Sequence, residues 1–323
     1  MLQSFRFSEV GDKDAWDRLV SSLEDCVPYQ SWEMGKLMES ILGFSLKRFC
    51  VSQGNSTLLL AQVVKRRFFE NSFFLHIPQG PLFPRGYNEE VLAFFIENLK
   101  KEEFFVSNSG CLKVEPRLPY STFLEESLLG MKFFKSQSVT ILHPDKETIV
   151  IDLLKSEDGL FKEMHPSAQR SLRKTFKKGV TVRRAKSRKD FDSFWNLFFN
   201  TAKRKGFYTF PRDWYFYIYN SPQIKSDIFL AEFNGNKAAA AFLIYFKETA
   251  LYSFGGSIPV IGLSPLRLLL WETIKYAKND GFKYFDLMGV DDGAAPGLSR
   301  FKRWFGGSKT INIGSYDYIF FDP

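Results

Sequence analysis

Hydrophobic positions along this chain recur with two periods. Between Trp32 and Leu42, Trp32, Leu37 and Ile41 approximate a helical stripe, which Gly43 ends. From Pro265 to Asn279, Leu266, Leu269, Leu270, Ile274 and Ala277 form one continuous apolar face, the signature of a helix laid on a core. Shorter apolar runs suit strands. The longest of these, Ala238–Phe246, fits a buried strand and falls far short of the roughly 20 residues that cross a bilayer.

Taken in order, the first half predicts a strand at Ser4–Val10 and helices at Asp14–Ser22 and Trp32–Leu42. Strands follow at Lys47–Ser52, Thr57–Arg67 and Phe73–Ile77, then a turn at Pro78-Gln79-Gly80-Pro81. A helix at Glu89–Lys100, a strand at Cys111–Glu115 and a helix at Thr122–Leu129 complete it. The second half predicts helices at Ser167–Lys177, Arg188–Lys205 and Pro211–Tyr219. Strands come next at Asp227–Phe233, Ala238–Phe246 and Ala250–Phe254, then a turn at Gly255-Gly256-Ser257. The long helix at Pro265–Asn279, a strand at Tyr284–Met288 and a short helix near Leu298–Phe305 close the pattern.

The two halves share one plan: paired strands, a glycine turn, a helix, then a short buried strand. That is the mark of a diverged internal duplication. Strands alternating with helices predict an α/β fold, α+β in its mixed sheets, with covering helices in each half. The pattern is weakest near His143–Thr148, where a boundary is expected. A length of 323 residues also suits two domains better than one.

Composition narrows the class. With 45% hydrophobic and 17% aromatic residues, the chain has ample material for cores. Met1 to Phe7 carries polar and charged residues where a secretory leader would be apolar, so no signal peptide is expected. Three scattered cysteines (Cys26, Cys50, Cys111) and three histidines (His76, His143, His165) give neither a disulfide framework nor zinc-ligand spacing. A soluble, cytoplasmic protein without metal or cofactor is the expectation.

The net charge of +8 is concentrated in one window. Lys162 to Lys189 holds eleven Lys or Arg against a single acid, Glu163, so the rest of the chain is slightly acidic. Such a field attracts polyanions, and it equally describes a solvated helix face.

The sharpest local motif lies near the end: Gly297-Leu298-Ser299-Arg300-Phe301-Lys302-Arg303-Trp304-Phe305-Gly306-Gly307. A lysine beside aromatics on a short helix closed by glycines is able to hold a cation against an oxyanion or phosphate. By itself the pattern fits a surface helix with Lys302 in water at least as well.

A longer series of segments changes the balance. Gln30-Ser31-Trp32-Glu33-Met34-Gly35-Lys36, His76-Ile77-Pro78-Gln79-Gly80-Pro81, Lys113-Val114-Glu115-Pro116 and Pro166–Lys174 with Gly179-Val180 come first. Thr201–Gly206, Phe254-Gly255-Gly256-Ser257, Leu269-Leu270-Trp271-Glu272, Tyr284–Val290 and the Phe301-Lys302 helix follow in order. Together they resemble the Fem-type peptidyltransferases (FemABX) over nearly the whole chain. The resemblance implies two tandem GNAT-like acyltransferase domains: residues 1–146, completed by a strand at 315–323, for the precursor, and residues 147–314 for the aminoacyl-tRNA. It implies transfer of glycine, alanine or serine from aminoacyl-tRNA to the stem-peptide amine of UDP-MurNAc-pentapeptide or lipid II. The latter acceptor would bring peripheral contact with the inner membrane surface.

Position by position, Lys302 resembles the family's catalytic lysine, which steadies the tetrahedral oxyanion, and the resemblance implies that Phe301 would line the pocket for the terminal adenosine. Lys36, one turn after Trp32, resembles the lysine that binds precursor phosphates; unaided, it reads as an exposed lysine on an amphipathic helix. Glu115 matches an acidic position near the acceptor amine, and a structural carboxylate is the alternative. Arg170, Arg173, Lys174 and Lys177 suit phosphates of tRNA or precursor. The chain departs from the pattern at Phe210, where some members carry an arginine that Arg212 would replace. It departs again at Phe254, where a tyrosine contacts the precursor. These leave open whether the acceptor is nucleotide-linked or lipid-linked. The long helical hairpin of the larger members is lacking.

An aminoacyl ester is already activated, so such a reaction needs positioning and charge stabilisation rather than a cofactor. An acyl-CoA donor is the second reading. The sequence after Phe254, Gly255-Gly256-Ser257-Ile258-Pro259-Val260-Ile261-Gly262, is not the usual glycine-rich pyrophosphate cradle. A non-enzymatic nucleic-acid binder ranks third, because it leaves the Phe301-Lys302 helix unexplained.

Overall fold

The computed structural model describes residues 4–23, 27–69, 72–102, 109–136, 147–293 and 295–320. The backbone divides into two units, Met1–Lys146 with Ile311–Pro323, and Glu147–Thr310. The boundary expected near His143–Thr148 falls largely outside the described residues, as does the end of the strand expected at 315–323.

The first unit holds β1 (Phe5–Glu9), α1 (Lys13–Ser21), a 3-10 turn (Pro28–Gln30), α2 (Trp32–Leu42), β2 (Ser45–Gln53), β3 (Ser56–Phe69) and β4 (Ser72–Ile77). It continues with α3 (Glu89–Leu99), β5 (Ser109–Val114), α4 (Thr122–Gly130), β6 (Phe133–Lys135) and, from the C-terminal segment, β14 (Tyr316–Ile319). Its helices start where a short polar side chain accepts an orphan N–H: Asp12 from Ala15, Ser31 from Met34, Asn88 from Val91, Ser121 from Leu124. Helix α2 stops at Gly43, whose φ of 67° is the left-handed C-cap the sequence signalled. The sheet runs β1-β2-β3-β4-β5-β14-β6, with β4 and β5 parallel across α3. Phe49, Leu59, Val63, Leu75, Phe95 and Tyr316 are among the residues that fill its core.

The second unit holds β7 (Glu147–Asp152), α5 (Glu157–Glu163), α6 (Pro166–Lys177), β8 (Thr181–Arg184), α7 (Arg188–Lys205), α8 (Arg212–Asn220) and β9 (Ser226–Phe233). After these come β10 (Asn236–Phe246), β11 (Thr249–Ser257), α9 (Pro265–Asn279), β12 (Tyr284–Gly289), α10 (Pro296–Arg303) and β13 (Ser308–Ile311). Read from β8, its sheet runs β8-β9-β10-β11-β12-β7-β13, and β11 and β12 are parallel across α9. The two sheets therefore match strand for strand. The sixth place is taken by the unit's first strand, β7, in one and by β14 in the other.

Strand β10 separates two layers. Ala239, Ala241, Leu243 and Tyr245 share a core with Leu172, Leu269, Leu270 and Ile274. Phe242 turns the other way, 5.2 Å from the Phe194 ring on α7 and 6.3 Å from Tyr219 on α8. This alternation is the period of two that a doubly covered strand requires.

Several elements correct the sequence reading. Gly255-Gly256-Ser257 is not a turn: it ends β11, paired with Ala239, Ala240 and Ala241. The glycine serves packing instead. A Cβ on Gly256 would lie 2.6 Å from the Cα of Phe198 and closer still to the Leu197 carbonyl, so α7 rests directly on the strand. The short strands β6, β7, β8 and β13 and helix α5 were not anticipated, being too brief to show a period. The last helix starts at Pro296 and ends at Arg303, two residues ahead of the expectation at each end.

Candidate active site

Strands β11 and β12 are paired only from Thr249 to Leu251 against Tyr284 to Asp286, although β11 runs on to Ser257. Beyond that point β11 stays with β10 and leaves β12. A bulge at Ser253 sharpens the change: Tyr252 faces Leu243 in the core under α9, whereas Phe254 faces Phe242 under α7. Bulges beside sites commonly re-aim a side chain in this way. Strand β12 carries its own irregularity between Asp286 and Gly289, where Met288 adopts φ 60° and its N–H donates to Asp286 Oδ1 at 2.7 Å. After the kink Gly289 pairs with Thr148 of β7.

Lys302 uses the Gly289 carbonyl. Its Nζ donates to Gly289 O at 2.5 Å, and the residue is only 6% exposed. Helix α10 is held in place by Ser299, fully buried, whose Oγ accepts the Asp291 N–H at 2.8 Å. Arg303 closes a two-pronged pair with Asp292 at 2.6 and 2.7 Å on the outside. An ammonium at this depth is costly to desolvate. It is therefore set to gain from an anion arriving at the gap between the strands. Phe301, on the same helix, packs against the core edge with its ring 5.5 Å from Phe305.

In the first unit, Lys36 is exposed on α2, one turn beyond Trp32. The Trp32 ring lies under the Arg48 guanidinium, 3.7 Å from its centroid, while Arg48 donates to Gln62 Oε1 at 2.7 Å and to the Trp32 carbonyl at 3.2 Å. Burial lowers Arg48 to about 10. Gly35 makes room for this cluster: a Cβ there would come within 2.7 Å of the Gln62 amide carbon.

Glu115 is enclosed, with no side-chain exposure, and so is His76 beside it. Arg66 Nη1 stands 3.3 Å from His76 Nδ1, and His76 Nε2 lies 3.0 Å from Glu115 Oε2. The carboxylate also receives the Gln79 N–H at 3.4 Å, and the Glu115 N–H donates to Gly80 O at 2.7 Å. These contacts fix the turn after β4 and favour the structural reading of Glu115. Sequence reasoning quoted His76 within a motif but gave it no role. Its partner 39 positions away is set by parallel pairing of His76 with Lys113 and Ile77 with Val114.

The remaining candidates are dispersed within the second unit. Arg212, at the start of α8, pairs with Asp192 and lies over the rings of Phe191 and Phe216, which commits its fork to helix packing. Phe254 packs 4.8 Å from Tyr215 and 5.8 Å from Phe198, on the layer opposite the core that Phe301 borders. On α6, Ala168, Leu172 and Thr175 face inward while Arg170, Arg173, Lys174 and Lys177 are exposed. Part of the basic window is neutralised: Arg183 holds Asp190 and Glu232, and Arg184 holds Asp227. The Arg183 guanidinium holds the Asp190 carboxyl well below the usual range, and the Arg183 pKa is raised in turn. The exposed cations of α6 are in none of these ion pairs among the described residues.

Among the described residues no group of His, Cys, Asp and Glu is placed to hold a metal ion, and no helix is long and apolar enough to cross a membrane.

Comparison with known proteins agrees with this arrangement. Residues 164–303 match the family model of the acetyltransferase (GNAT) domain. Among solved structures, FemX superposes with a TM-score of 0.78 at 17% identity, covering 97% of each chain. A tandem GNAT protein from the clavulanic acid biosynthesis pathway superposes with a TM-score of 0.63 at 9% identity, covering 99% of this chain and all of the other. A conserved protein of unknown function from Bacteroides thetaiotaomicron gives 0.58 at 12% identity over 99% of both chains. No curated protein matches the chain by sequence. The chain has the Fem-type fold of two tandem GNAT-like domains, and the second of them is an acyltransferase domain of the GNAT kind.

Proposed function

We propose that the protein is an aminoacyltransferase that moves an amino acid from aminoacyl-tRNA to the stem-peptide amine of a peptidoglycan precursor. The observation that carries this reading is the near-buried Lys302 ammonium, 2.5 Å from Gly289 O, where β11 and β12 part. When an amine attacks the donor ester, the carbonyl oxygen gains a full negative charge before the ribose hydroxyl leaves. An ammonium already desolvated at that point stabilises the oxyanion without reorganising. No covalent enzyme intermediate, metal or cofactor is needed, since the ester supplies the activation.

The other assignments follow the same reading. Lys36 takes a phosphate of the acceptor, with Trp32 and Arg48 forming the floor beside it. The α6 cations Arg170, Arg173, Lys174 and Lys177 meet the donor's backbone. Glu115 holds the Gln79–Gly80 turn rather than acting as the base. A lipid-linked acceptor would bring the protein to the inner membrane face; a nucleotide-linked one would leave it in the cytoplasm. Glycine, alanine and serine are the expected cargo.

The second reading, an acyl-CoA donor, is favoured by the GNAT match alone. Incubation with charged tRNAs or acetyl-CoA, each with UDP-linked or lipid-linked pentapeptide, separates the two. The product mass should rise by one amino-acid residue only in the charged-tRNA arm. An acetylated product and none from charged tRNA would replace the proposal with the second reading.

A further inference from the structure

Arg267 is a cation that the catalytic scheme has not used. It lies in the first turn of α9, half-buried, with its guanidinium carbon 4.9 Å from the Trp304 ring centroid and 5.5 Å from that of Phe301. Trp304 is backed on its own ring by His165, stacked at 4.9 Å and 9°. Arg183, Arg184, Arg212 and Arg303 each hold a carboxylate. Among the described residues the Arg267 side chain makes only a long hydrogen-bond contact, to Ser264 Oγ at 3.5 Å, and its Nε is buried with no partner. Burial lowers its pKa, with no neighbouring charge acting on it.

A partly buried guanidinium beside aromatic rings, with no carboxylate partner among the described residues, is preorganised for an anion from outside. A second cation borders the loop that precedes α9. Lys174 Nζ lies 3.3 Å from the position a Cβ on Gly262 would occupy, and Ser264 N–H donates to Thr175 Oγ1 at 3.1 Å, tying the 258–264 loop to α6. Arg267 and Lys174 thus flank the same loop, and Arg267 shares Phe301 with the helix that carries Lys302.

We propose that Arg267, bracketed by Phe301 and Trp304 and assisted by Lys174, binds a phosphate group at the nucleotide end of the acyl donor. This rests on the donor side being the α10 face, but not on which donor it is. A nucleotide phosphate is common to the 3′ end of tRNA and to coenzyme A, and the test distinguishes them.

The experiment is equilibrium binding of CpCpA, coenzyme A and phosphate-free adenosine to the full chain by calorimetry at low salt. Wild type should bind CpCpA about tenfold or more tighter than adenosine, and Arg267→Gln should lose about that factor for CpCpA with adenosine binding unchanged. Arg267→Lys should recover part of the loss. Lys174→Ala, at an exposed position, should weaken CpCpA a few-fold in a protein that melts as wild type does. Coenzyme A binding that depends on Arg267, with no CpCpA binding, would keep this seat and overturn the aminoacyl-tRNA reading. If Arg267→Gln and Lys174→Ala bind both probes like wild type, or neither probe outbinds adenosine, the seat does not exist.

Discussion

Lys302 and Gly289 lie 13 positions apart and meet as a 2.5 Å hydrogen bond from the ammonium to a strand carbonyl. The bond is made at the irregularity of β12 between Asp286 and Gly289, where Gly289 pairs with Thr148. It parks a buried charge where the parallel pair β11 and β12 ends. The same relationship places Phe301 and Trp304 around Arg267, so one short helix organises both proposed halves of the donor site.

Gly256→Ala should destabilise the second unit. The added methyl would strike the backbone of Leu197 and Phe198, which cannot move as a side-chain tip can. Overpacking of this kind costs about 1–3 kcal/mol, readable as a lower urea midpoint with an unchanged slope. An unchanged midpoint would mean that α7 does not sit directly on β11.

Asp190 gives a pH dependence of known sign. Its carboxyl is held below the usual range, first by the two hydrogen bonds from Arg183 and also by the Lys186 N–H at 2.9 Å. A depressed folded-state pKa stabilises the fold above the unfolded value, near 3.9, and that contribution fades as pH falls through the folded value. Because Arg183 is 41% exposed, solvent screening reduces the gain. Asp190→Asn should cost about 1–2 kcal/mol at pH 7, a gap that narrows steadily below about pH 4. Chemical denaturation of both proteins at several pH values checks this; a gap that widens in acid would reverse the assignment.

Lys36→Ala should act on binding. The side chain is exposed and carries no packing burden, so its loss should raise KM for the acceptor about tenfold while kcat changes less. Steady-state kinetics with the acceptor varied reads the split. An equal fall in kcat with unchanged KM would move Lys36 into the chemical step.

The elements easiest to foresee carried long local patterns. Helix α9 announced itself through Leu266, Leu269, Leu270, Ile274 and Ala277, and α2 through its stripe and the glycine behind it. What escaped depends on partners distant in sequence. Gly255 and Gly256 look like a turn because glycine usually breaks a strand; the Tyr252 side chain against the first and the α7 backbone against the second explain why they belong inside one. The charge of the 162–189 window reads as one patch, but Glu232 and Asp227 arrive on β9 to neutralise Arg183 and Arg184. His76 and Glu115 meet only once β4 and β5 lie in register. Arg267 shows nothing in sequence, since lacking a counter-charge is a property of its surroundings.

The central claim is that the Lys302 ammonium stabilises the oxyanion of acyl transfer. The most direct measurement is the single-turnover rate of aminoacyl transfer from charged tRNA to the pentapeptide precursor, for wild type and for Lys302→Met at saturating substrates. Losing one oxyanion donor should slow the step by about 10²–10³, with the melting temperature and substrate affinities little changed. A Lys302→Met protein that transfers at the wild-type rate would contradict the account.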